Sequence, residues 1–343
     1  MLVGSDGSRR HGTIVSSPPA GPGSNGTSSG PELVTIGRIG VDLYPQQIGV
    51  ALADVTSFAK FLGGTTTNVA VAAARLGHRS AVVTKVGDDG FGVYARRALE
   101  RFGVDTRWVG THPTLRTPIT FCEVHPPDYF PILFYRDPLA PDLTIQTTEL
   151  PVAEILGVPI IWTSGTALCA EPSRSTVLGI VQGRGRQGLV VHDLDYRPQF
   201  WRDAAEAREW GRAVLAYATV AVGNQDEVEI VTGTRDPEGA AAALLDLGPE
   251  IAIVKMGENG VFAKTPSTTA HVGPAPVEVL NGIGAGDGFG GALCHALLCG
   301  WELESSLAFA NAAGAIVASR LACADAMPTI EEIEELLERS GHG

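Results

Sequence analysis

The chain has 343 residues, and its 25 lysines and arginines against 38 aspartates and glutamates give a formal net charge of −13. This acidic balance, without any run of basic residues, excludes a nucleic-acid-binding surface. No stretch of about 18 consecutive apolar residues occurs, so no contact with a membrane through a spanning helix is expected. Hydrophobic residues at 44% and charged residues at 18% are typical of a globular chain.

The cysteines indicate a reducing, cytoplasmic location. Their number is odd and no C-x-x-C pair occurs, so buried free thiols are expected and a zinc site is not. Arg9 and Arg10 are adjacent, but no apolar segment follows them, which argues against an export signal. The five cysteines are Cys122, Cys169, Cys294, Cys299 and Cys323.

Residues 1–30 differ in composition from the rest of the chain. Seven Gly, seven Ser and three Pro make up 17 of these 30 residues. Such a segment buries too little apolar surface to offset the entropy of ordering, so it is predicted to be a disordered tail. The folded domain is then predicted to span 31–343.

From residue 33 onwards, short apolar runs alternate with helical stretches. This alternation predicts an α/β fold with a central, mostly parallel sheet covered by helices on both faces. The predicted strands are Leu33–Gly37, Ala81–Thr84, Pro159–Thr163, Leu189–His192, Thr219–Val222 and Ile251–Lys255. The predicted helices are 68–76, 91–102, 171–183, 204–216, 236–247, 286–299, 304–321 and 329–339, the last capped by Thr329.

Two stretches, 38–62 and 112–137, interrupt this alternation. They lack helical periodicity, and the second contains the β-type segments Ile119–Val124 and Pro131–Tyr135. We expect them to pair into a small β-sheet that forms a lid over the strand ends. Such a sheet could equally serve as a dimer surface.

The segment Asn281–Gly291 reads NGIGAGDGFGG and leads directly into a long helix. Glycines at a helix start allow the backbone to approach an anion, which the free N–H groups and the helix dipole stabilise. Asp287 lies in the first turn of that helix. Beside a phosphate it would act as a general base for an attacking hydroxyl; a plain helix cap is the alternative.

The chain resembles the ribokinase-like (PfkB) carbohydrate kinases through six motifs that occur in the family order. The resemblance covers about residues 33–338 and implies a ribokinase-like fold, ATP and Mg²⁺ as cofactors, and phosphorylation of a small sugar-type substrate. The motifs are Gly63-Gly64-x-x-x-Asn68-x-Ala70, Lys85-Val86-Gly87-Asp88 with Phe91-Gly92, Gly103-Val104-Asp105-Thr106, Asn224-x-x-Glu227, Lys255-x-Gly257-x-x-Gly260 and Gly284-Ala285-Gly286-Asp287.

Three further segments resemble one branch of that family, the 5-dehydro-2-deoxygluconokinases of myo-inositol catabolism. They are Thr56–Gly64, Pro126–Asp137 and His192–Trp201, the last containing Asp193-Leu-Asp195-Tyr-Arg197. This resemblance implies transfer of phosphate from ATP to the C6 hydroxyl of 5-dehydro-2-deoxy-D-gluconate. Another sugar kinase activity, on 2-keto-3-deoxygluconate or fructose, is the alternative, and a non-catalytic nucleotide-binding regulator is the second.

The resemblance also implies roles for individual residues. Asp287 would be the catalytic base, and backbone N–H groups of Gly284, Ala285 and Gly286 would face the transferring phosphate. An acidic substrate needs local cations; Arg136 is the first candidate as carboxylate clamp, with a surface salt bridge to Asp137 or Asp142 as its alternative. The substrate-binding set is Arg38, Asp42, Gly63, Gly64, Asn68, Lys85 and Arg136. The nucleotide and Mg²⁺ set is Asn224, Glu227, Lys255, Gly257, Gly260 and Asn311.

One departure from the family pattern lies next to the glycine loop. The family often has Asp-Thr where this chain has Asn281 and Gly282, which would weaken the environment of the metal. The resemblance leaves a requirement for a monovalent cation open, and a homodimer formed through the lid is a further expectation.

Overall fold

The computed structural model describes residues 30–340, so the predicted tail lies outside the described residues except for Gly30. The strands are β1 (Leu33–Ile36), β2 (Gly40–Pro45), β3 (Phe58–Gly63), β4 (Ser80–Gly87), β5 (Val109–His112), β6 (Ile119–Cys122), β7 (Ile132–Tyr135), β8 (Ile160–Ser164), β9 (Leu189–Asp193), β10 (Val220–Asn224), β11 (Ile251–Lys255), β12 (Val261–Lys264) and β13 (Thr269–Val272).

Ten α-helices occur in the same residues. They are α1 (Thr65–Arg75), α2 (Gly90–Arg101), α3 (Val152–Leu156), α4 (Ser173–Arg184), α5 (Ala204–Leu215), α6 (Gln225–Thr232), α7 (Pro237–Asp246), α8 (Ala285–Cys299), α9 (Leu303–Ala318) and α10 (Ile330–Arg339). Thr329 caps α10 as predicted: its hydroxyl accepts from the Glu332 N–H, and the Glu332 carboxylate accepts from the Thr329 N–H. None of the described helices has the combination of length and apolar character that a bilayer crossing requires.

The central sheet has nine strands in the order β13-β12-β11-β10-β9-β8-β1-β4-β5. All neighbours from β11 to β5 are parallel, and β12 and β13 add an antiparallel edge. At the centre, Val34 of β1 is aligned with Ala81 of β4 and with Ile161 of β8. The predicted mostly parallel sheet is confirmed, and its parallel strands bring their carboxyl ends to one edge.

Helices α1 and α8 pack closely against each other. A Cβ added to Gly291 would collide with the Ala72 Cβ of α1, and one added to Gly290 would lie 3.2 Å from Val69 of α1 and 2.6 Å from the Trp162 ring of β8. The glycines therefore set how closely the two helices approach. This contact matters because α1 and α8 each contribute one residue to the site described below.

The lid is a separate four-stranded sheet in the order β3-β2-β6-β7. It is built from the two predicted segments, and β2 and β6 join them in parallel pairing. The inner face of the lid packs around the buried Tyr44 and Cys122 against Cys323 of the main domain. Exposed large hydrophobic side chains lie elsewhere on the lid segments: Ile48, Tyr129, Leu133 and Tyr135.

Candidate active site

Charged side chains gather where β9, β10 and β11 end, beside the start of α8. Asp193 ends β9 and Lys255 ends β11, and the Lys255 Nζ lies 3.9 Å from the Asp193 Oδ1. A Cβ added to Gly286 would be 3.1 Å from the same Nζ. The lysine ammonium is therefore next to the predicted anion-binding loop, as a phosphate contact requires.

Asp287 is held by Asn68, which the sequence places 219 positions away. The Asn68 Nδ2 donates a 2.7 Å hydrogen bond to the Asp287 Oδ2. The loop before Asp287 is tight: Gly284 has φ +87°, and its added Cβ would lie 2.6 Å from the Cys323 Sγ. Because Gly284 tolerates both constraints, α8 can begin at Ala285, whose N–H donates to the Gly282 carbonyl at 3.4 Å.

The Asp287 carboxyl has an unusual proton affinity. Desolvation raises its pKa to about 7, and the nearby Asp195 charge acts in the same direction. The Asn68 hydrogen bond and the Arg38 and Arg197 charges oppose this rise. A carboxyl group with a pKa near neutrality can accept a proton far better than an ordinary aspartate, which is what a general base requires.

Asp195 is the hub of a buried hydrogen-bond network. It adopts φ 28°, and its Oδ2 accepts hydrogen bonds of 2.9 Å from both Thr65 and Thr166. Burial disfavours its charged form, but Arg197 and Arg38 and these hydrogen bonds hold its pKa below the ordinary value. The Arg197 Nε lies 3.1 Å from the Asp195 Oδ1. Asp195 is therefore ionised and orients cations toward Asp287.

Asp195, Arg197, Thr65 and Thr166 were not among the predicted site residues. The Asp-x-Asp-x-Arg segment after β9 was noticed only as a mark of the family branch. Its position at a strand end was the available signal, because parallel strands end at the same edge of the sheet as the glycine loop.

The two predicted Mg²⁺ residues form a helix cap at the start of α6. The Asn224 Oδ1 accepts from the Glu227 N–H at 2.9 Å, and the Glu227 Oε2 accepts from the Asn224 N–H at 2.7 Å. Both side chains therefore cap α6. Glu227 is nevertheless buried, and its charge acts on Asp193 and Lys255.

The charge balance of this cleft fits a divalent cation. Burial raises the pKa of Asp193, whereas Asp193, Glu227 and Asp287 outweigh burial and raise the pKa of Lys255. Carboxylate oxygens are the ligands that Mg²⁺ prefers, and an excess of them is stabilised by an added cation. The four acidic groups Asp193, Asp195, Glu227 and Asp287 face the three cations Arg38, Arg197 and Lys255.

The opposite side of the cleft offers polar atoms suited to a sugar. The Asn68 Oδ1 and the Arg38 Nε are buried and have no hydrogen-bond partner within residues 30–340. Asp42 is buried over Gly63, where a Cβ would collide with its carboxylate. Burial raises the Asp42 pKa to about 6, while Arg38 and a hydrogen bond with Thr120 oppose the rise. Arg38 and Asp42 are close enough for the arginine charge to act on the carboxyl group.

Lys85 and Arg136 are held by other partners. The Lys85 Nζ donates to the Thr144 carbonyl at 2.9 Å and pairs with Glu149. The Arg136 Nη2 lies 2.8 Å from the Asp142 Oδ2, so the alternative ion pair is observed. It is not a surface pair, because the exposed fractions of the two side chains are 8% and 0%. Of the three predicted substrate-binding cations, Arg38 is the one with a buried donor that has no partner among residues 30–340.

Two of the predicted nucleotide residues, Gly257 and Gly260, lie in the turn that follows β11. Gly257 and Gly260 have φ +58° and +80° and build the turn after this strand, where a Cβ on Gly260 would collide with the Val272 carbonyl. Asn311 on α9 donates to the Gly273 carbonyl at 2.9 Å.

Gly64 belongs to the predicted substrate-binding set. It has φ +109° and packs on the Arg38 carbonyl at the start of α1.

Asn281, the departure from the family pattern, is fully buried in the loop before α8. Its Nδ2 donates to the Leu321 carbonyl at 2.6 Å, and its Oδ1 accepts from the Ile283 N–H at 3.1 Å. Asn281 therefore fastens the glycine loop to the end of α9.

The chain is similar in sequence to known sugar kinases. The chain is 31% identical to the 5-dehydro-2-deoxygluconokinase of Geobacillus kaustophilus over 91% of this chain and 95% of that protein. The Bacillus subtilis protein of the same name is also 31% identical, with coverages of 90% and 96%. The Photobacterium profundum protein is 33% identical, with coverages of 90% and 95%.

Solved structures share the fold. A sugar kinase from Pyrococcus horikoshii, in complex with ATP, matches 89% of this chain and 100% of its own with a TM-score of 0.76 and 26% identity. A fructokinase variant from Vibrio cholerae, bound to fructose, ADP and potassium, matches 90% and 99% with a TM-score of 0.77 and 25% identity. The family model described as pfkB family carbohydrate kinase matches residues 31–330. The chain therefore belongs to the pfkB family of carbohydrate kinases.

Proposed function

We propose that this kinase transfers the γ-phosphoryl group of ATP to the C6 hydroxyl of 5-dehydro-2-deoxy-D-gluconate, giving the 6-phosphate and ADP in myo-inositol catabolism. The relatives that carry this activity in their names match nine-tenths of the chain. The observation that carries the chemistry is Asp287, a carboxyl group with a pKa near 7 that Asn68 orients at the start of α8.

In this proposal Asp287 removes the proton from the attacking C6 hydroxyl. Its Oδ2 accepts from Asn68, so the other oxygen is available to the substrate. The N–H groups of Gly284, Ala285 and Gly286 offer hydrogen bonds to the charge on the transferring group. Each preorganised donor of this kind typically contributes about 10²–10³-fold to the rate.

The substrate carboxylate is assigned to Arg38 rather than to Arg136. Arg38 retains a buried, unpartnered Nε, while its Nη2 donates to Thr65 at 2.8 Å. The Phe134 ring of the lid lies 5.5 Å from the Arg38 guanidinium and would shield an ion pair between Arg38 and the substrate carboxylate from water. Arg136 forms an ion pair with Asp142, and its guanidinium lies 4.9 Å from the Phe200 ring. The Asn68 Oδ1 would accept a substrate hydroxyl.

We assign Mg²⁺ to Glu227 and Asn224 through water, with ATP phosphates completing its oxygen shell. The ion would neutralise phosphate charge in this acidic cleft. Lys255 would bind the phosphates beside Gly286, and Gly257, Gly260 and Asn311 would border the nucleotide. The potassium ion in the Vibrio cholerae fructokinase motivates a test for a monovalent cation.

A homodimer through the lid is part of the proposal. Four of the six exposed large hydrophobic side chains among the described residues lie on the lid segments. An exposed apolar surface of this kind is typical of a protein–protein contact. Light scattering of the wild type and of a Leu133→Glu variant tests it: loss of the dimer supports the lid interface, and an unchanged mass rejects it. A cytoplasmic location stays a prediction.

The acceptor is tested by measuring ADP release with MgATP on a small panel. The panel contains 5-dehydro-2-deoxygluconate, 2-keto-3-deoxygluconate, fructose and ribose, with Asp287→Asn as the control. A preference for the first acceptor that the variant loses is expected. A preference for another acceptor would support a kinase activity but reject the assigned substrate. Tight ATP binding without turnover on any acceptor would favour an acceptor outside the panel or a regulatory protein.

A further inference from the structure

A second group of metal-ligating side chains lies away from the cleft, where α1 and α8 end and the chain enters β1. His78, His295 and Cys299 place one ligand atom each within 4.8 Å of one another. His295 and Cys299 are four residues apart on α8, so they share one helix face. No zinc site was expected from the sequence. The four-residue spacing of His295 and Cys299 is visible there, but His78 is distant along the chain.

The distances describe a chain of contacts. The Glu32 Oε2 lies 3.7 Å from the His78 Nδ1, and the His78 Nε2 lies 2.9 Å from the His295 Nδ1. The His295 Nε2 lies 3.8 Å from the Cys299 Sγ. Bonds of about 2.0 Å to nitrogen and about 2.3 Å to sulfur at a tetrahedral angle separate two zinc ligands by about 3.5 Å. The contacts to His78 and to Cys299 involve different ring nitrogens of His295, and one ion binds only one of them. A common site therefore requires rotation of the Cys299 or His295 side chain.

Packing surrounds both histidines, which are buried. The His295 ring is stacked on Phe309 at 5.2 Å, which orients it. A metal ion binds the neutral imidazole and the thiolate, so binding releases the Cys299 proton.

An entry path and a supporting group are also present. Cys299 and Glu32 are partly exposed, whereas both histidines are buried. Glu32, which also lies 3.5 Å from the Arg79 Nη1, faces the His78 Nδ1. A carboxylate on that nitrogen orients a histidine so that its Nε2 faces the metal.

We propose that His78, His295 and Cys299 form a Zn²⁺ site, with water in the fourth position and Glu32 positioning His78. Binding replaces the His78–His295 hydrogen bond by two nitrogen–metal bonds and adds a thiolate–metal bond, while the Cys299 proton passes to solvent. The ion would join the carboxyl end of α8 to the turn between α1 and β4, and it would stabilise the folded chain by RT ln(1 + [Zn²⁺]/Kd).

The test measures metal binding by the full, untagged chain in excess Mg²⁺ without nucleotide. Co²⁺ serves as a spectroscopic probe, because a thiolate ligand produces a charge-transfer band that a carboxylate site does not. Zn²⁺ affinity is measured by competition with a chromophoric chelator. The matched control is Cys169→Ser, which changes another half-buried cysteine whose Sγ lies 3.7 Å from the Gly165 carbonyl.

The wild type and Cys169→Ser should show the cobalt band and bind one Zn²⁺. Cys299→Ser should lose the band and at least about 100-fold in zinc affinity, since loss of a supporting residue alone costs up to about that factor. His78→Gln provides a second readout and should weaken zinc binding while leaving a thiolate band. Absence of the band in the wild type, or its persistence in Cys299→Ser, would overturn the proposal. Asp287→Asn should bind zinc normally, so this result is independent of the kinase assignment.

Discussion

The hydrogen bond from Asn68 to Asp287 sets the pH range in which the proposed base can work. Asn68→Ala removes the donor, and a hydrogen bond to a charged group is worth about 1.5–3 kcal/mol. At about 1.36 kcal/mol per pKa unit, the Asp287 pKa should rise by about 1–2 units from its value of about 7. The carboxyl group must be ionised to accept a proton, so activity is lost as pH falls through this pKa.

At pH 7 the ionised fraction of Asp287 should drop from about one half to about 1–10% in the Asn68→Ala variant, and kcat/KM should fall about 5–50-fold. Part of that loss should be recovered at high pH. The assay follows ADP release by enzymatic coupling across the pH range, at low acceptor concentration, so that kcat/KM reports the free enzyme. Asn311→Ala is the control for the pH profile: it can change nucleotide binding, but it removes an asparagine that donates to the Gly273 carbonyl and not to Asp287, so the acidic limb should stay at the wild-type pH. An acidic limb that stays at the wild-type pH in Asn68→Ala would refute the reasoning.

Three further predictions concern the base, the acceptor cation and the helix contact. Asp287→Asn should lower kcat by at least about 10²-fold with little change in nucleotide affinity by calorimetry; retained turnover would remove Asp287 as the base. Arg38→Met should raise the KM for the acidic acceptor more than Arg136→Met does, because Arg136 is already paired with the buried Asp142, whereas the buried Arg38 Nε has no partner among residues 30–340; steady-state kinetics would show the reverse order if Arg136 holds the carboxylate. Gly291→Ala should lower the free energy of unfolding in urea by about 1–3 kcal/mol through overpacking, whereas Gly179→Ala, where a Cβ meets nothing within 4 Å, should raise it by up to about 1 kcal/mol. Equal effects of the two glycine substitutions would contradict the packing argument.

The alternation of apolar runs and helices was enough to predict the parallel sheet, the flanking helices and the two lid segments. The short elements β5, β12, β13, α3 and α6 were not predicted, because four- to eight-residue elements at edges carry little periodicity. Helix α9 ends at Ala318, three residues before the predicted end, and the loop that follows fastens to Asn281.

The site itself was predictable only in part. The resemblance to the PfkB kinases assigned Asn68, Lys255 and Asp287 to one site. The partners of Lys85 and Arg136 could not be predicted, because Glu149 and Asp142 meet them only through the packing of the lid and its connection. The raised pKa of Asp287 depends on desolvation by distant segments, which no local pattern encodes.

The contact between α1 and α8 has a consequence for how this enzyme can diversify. Because the glycines of α8 allow close packing against α1, the amide of Asn68 and the carboxylate of Asp287 are held together by the contact between their helices as well as by their hydrogen bond. Substitutions at this helix contact, at Gly290 or Gly291, would lower the rate of phosphoryl transfer to every acceptor alike. The lid is a separate sheet that supplies Asp42 and Phe134, so substitutions there can alter which hydroxyl compound is accepted while the proton-transfer pair stays intact. Mutagenesis aimed at new acceptors should therefore be concentrated in the lid and should leave the glycines between α1 and α8 unchanged.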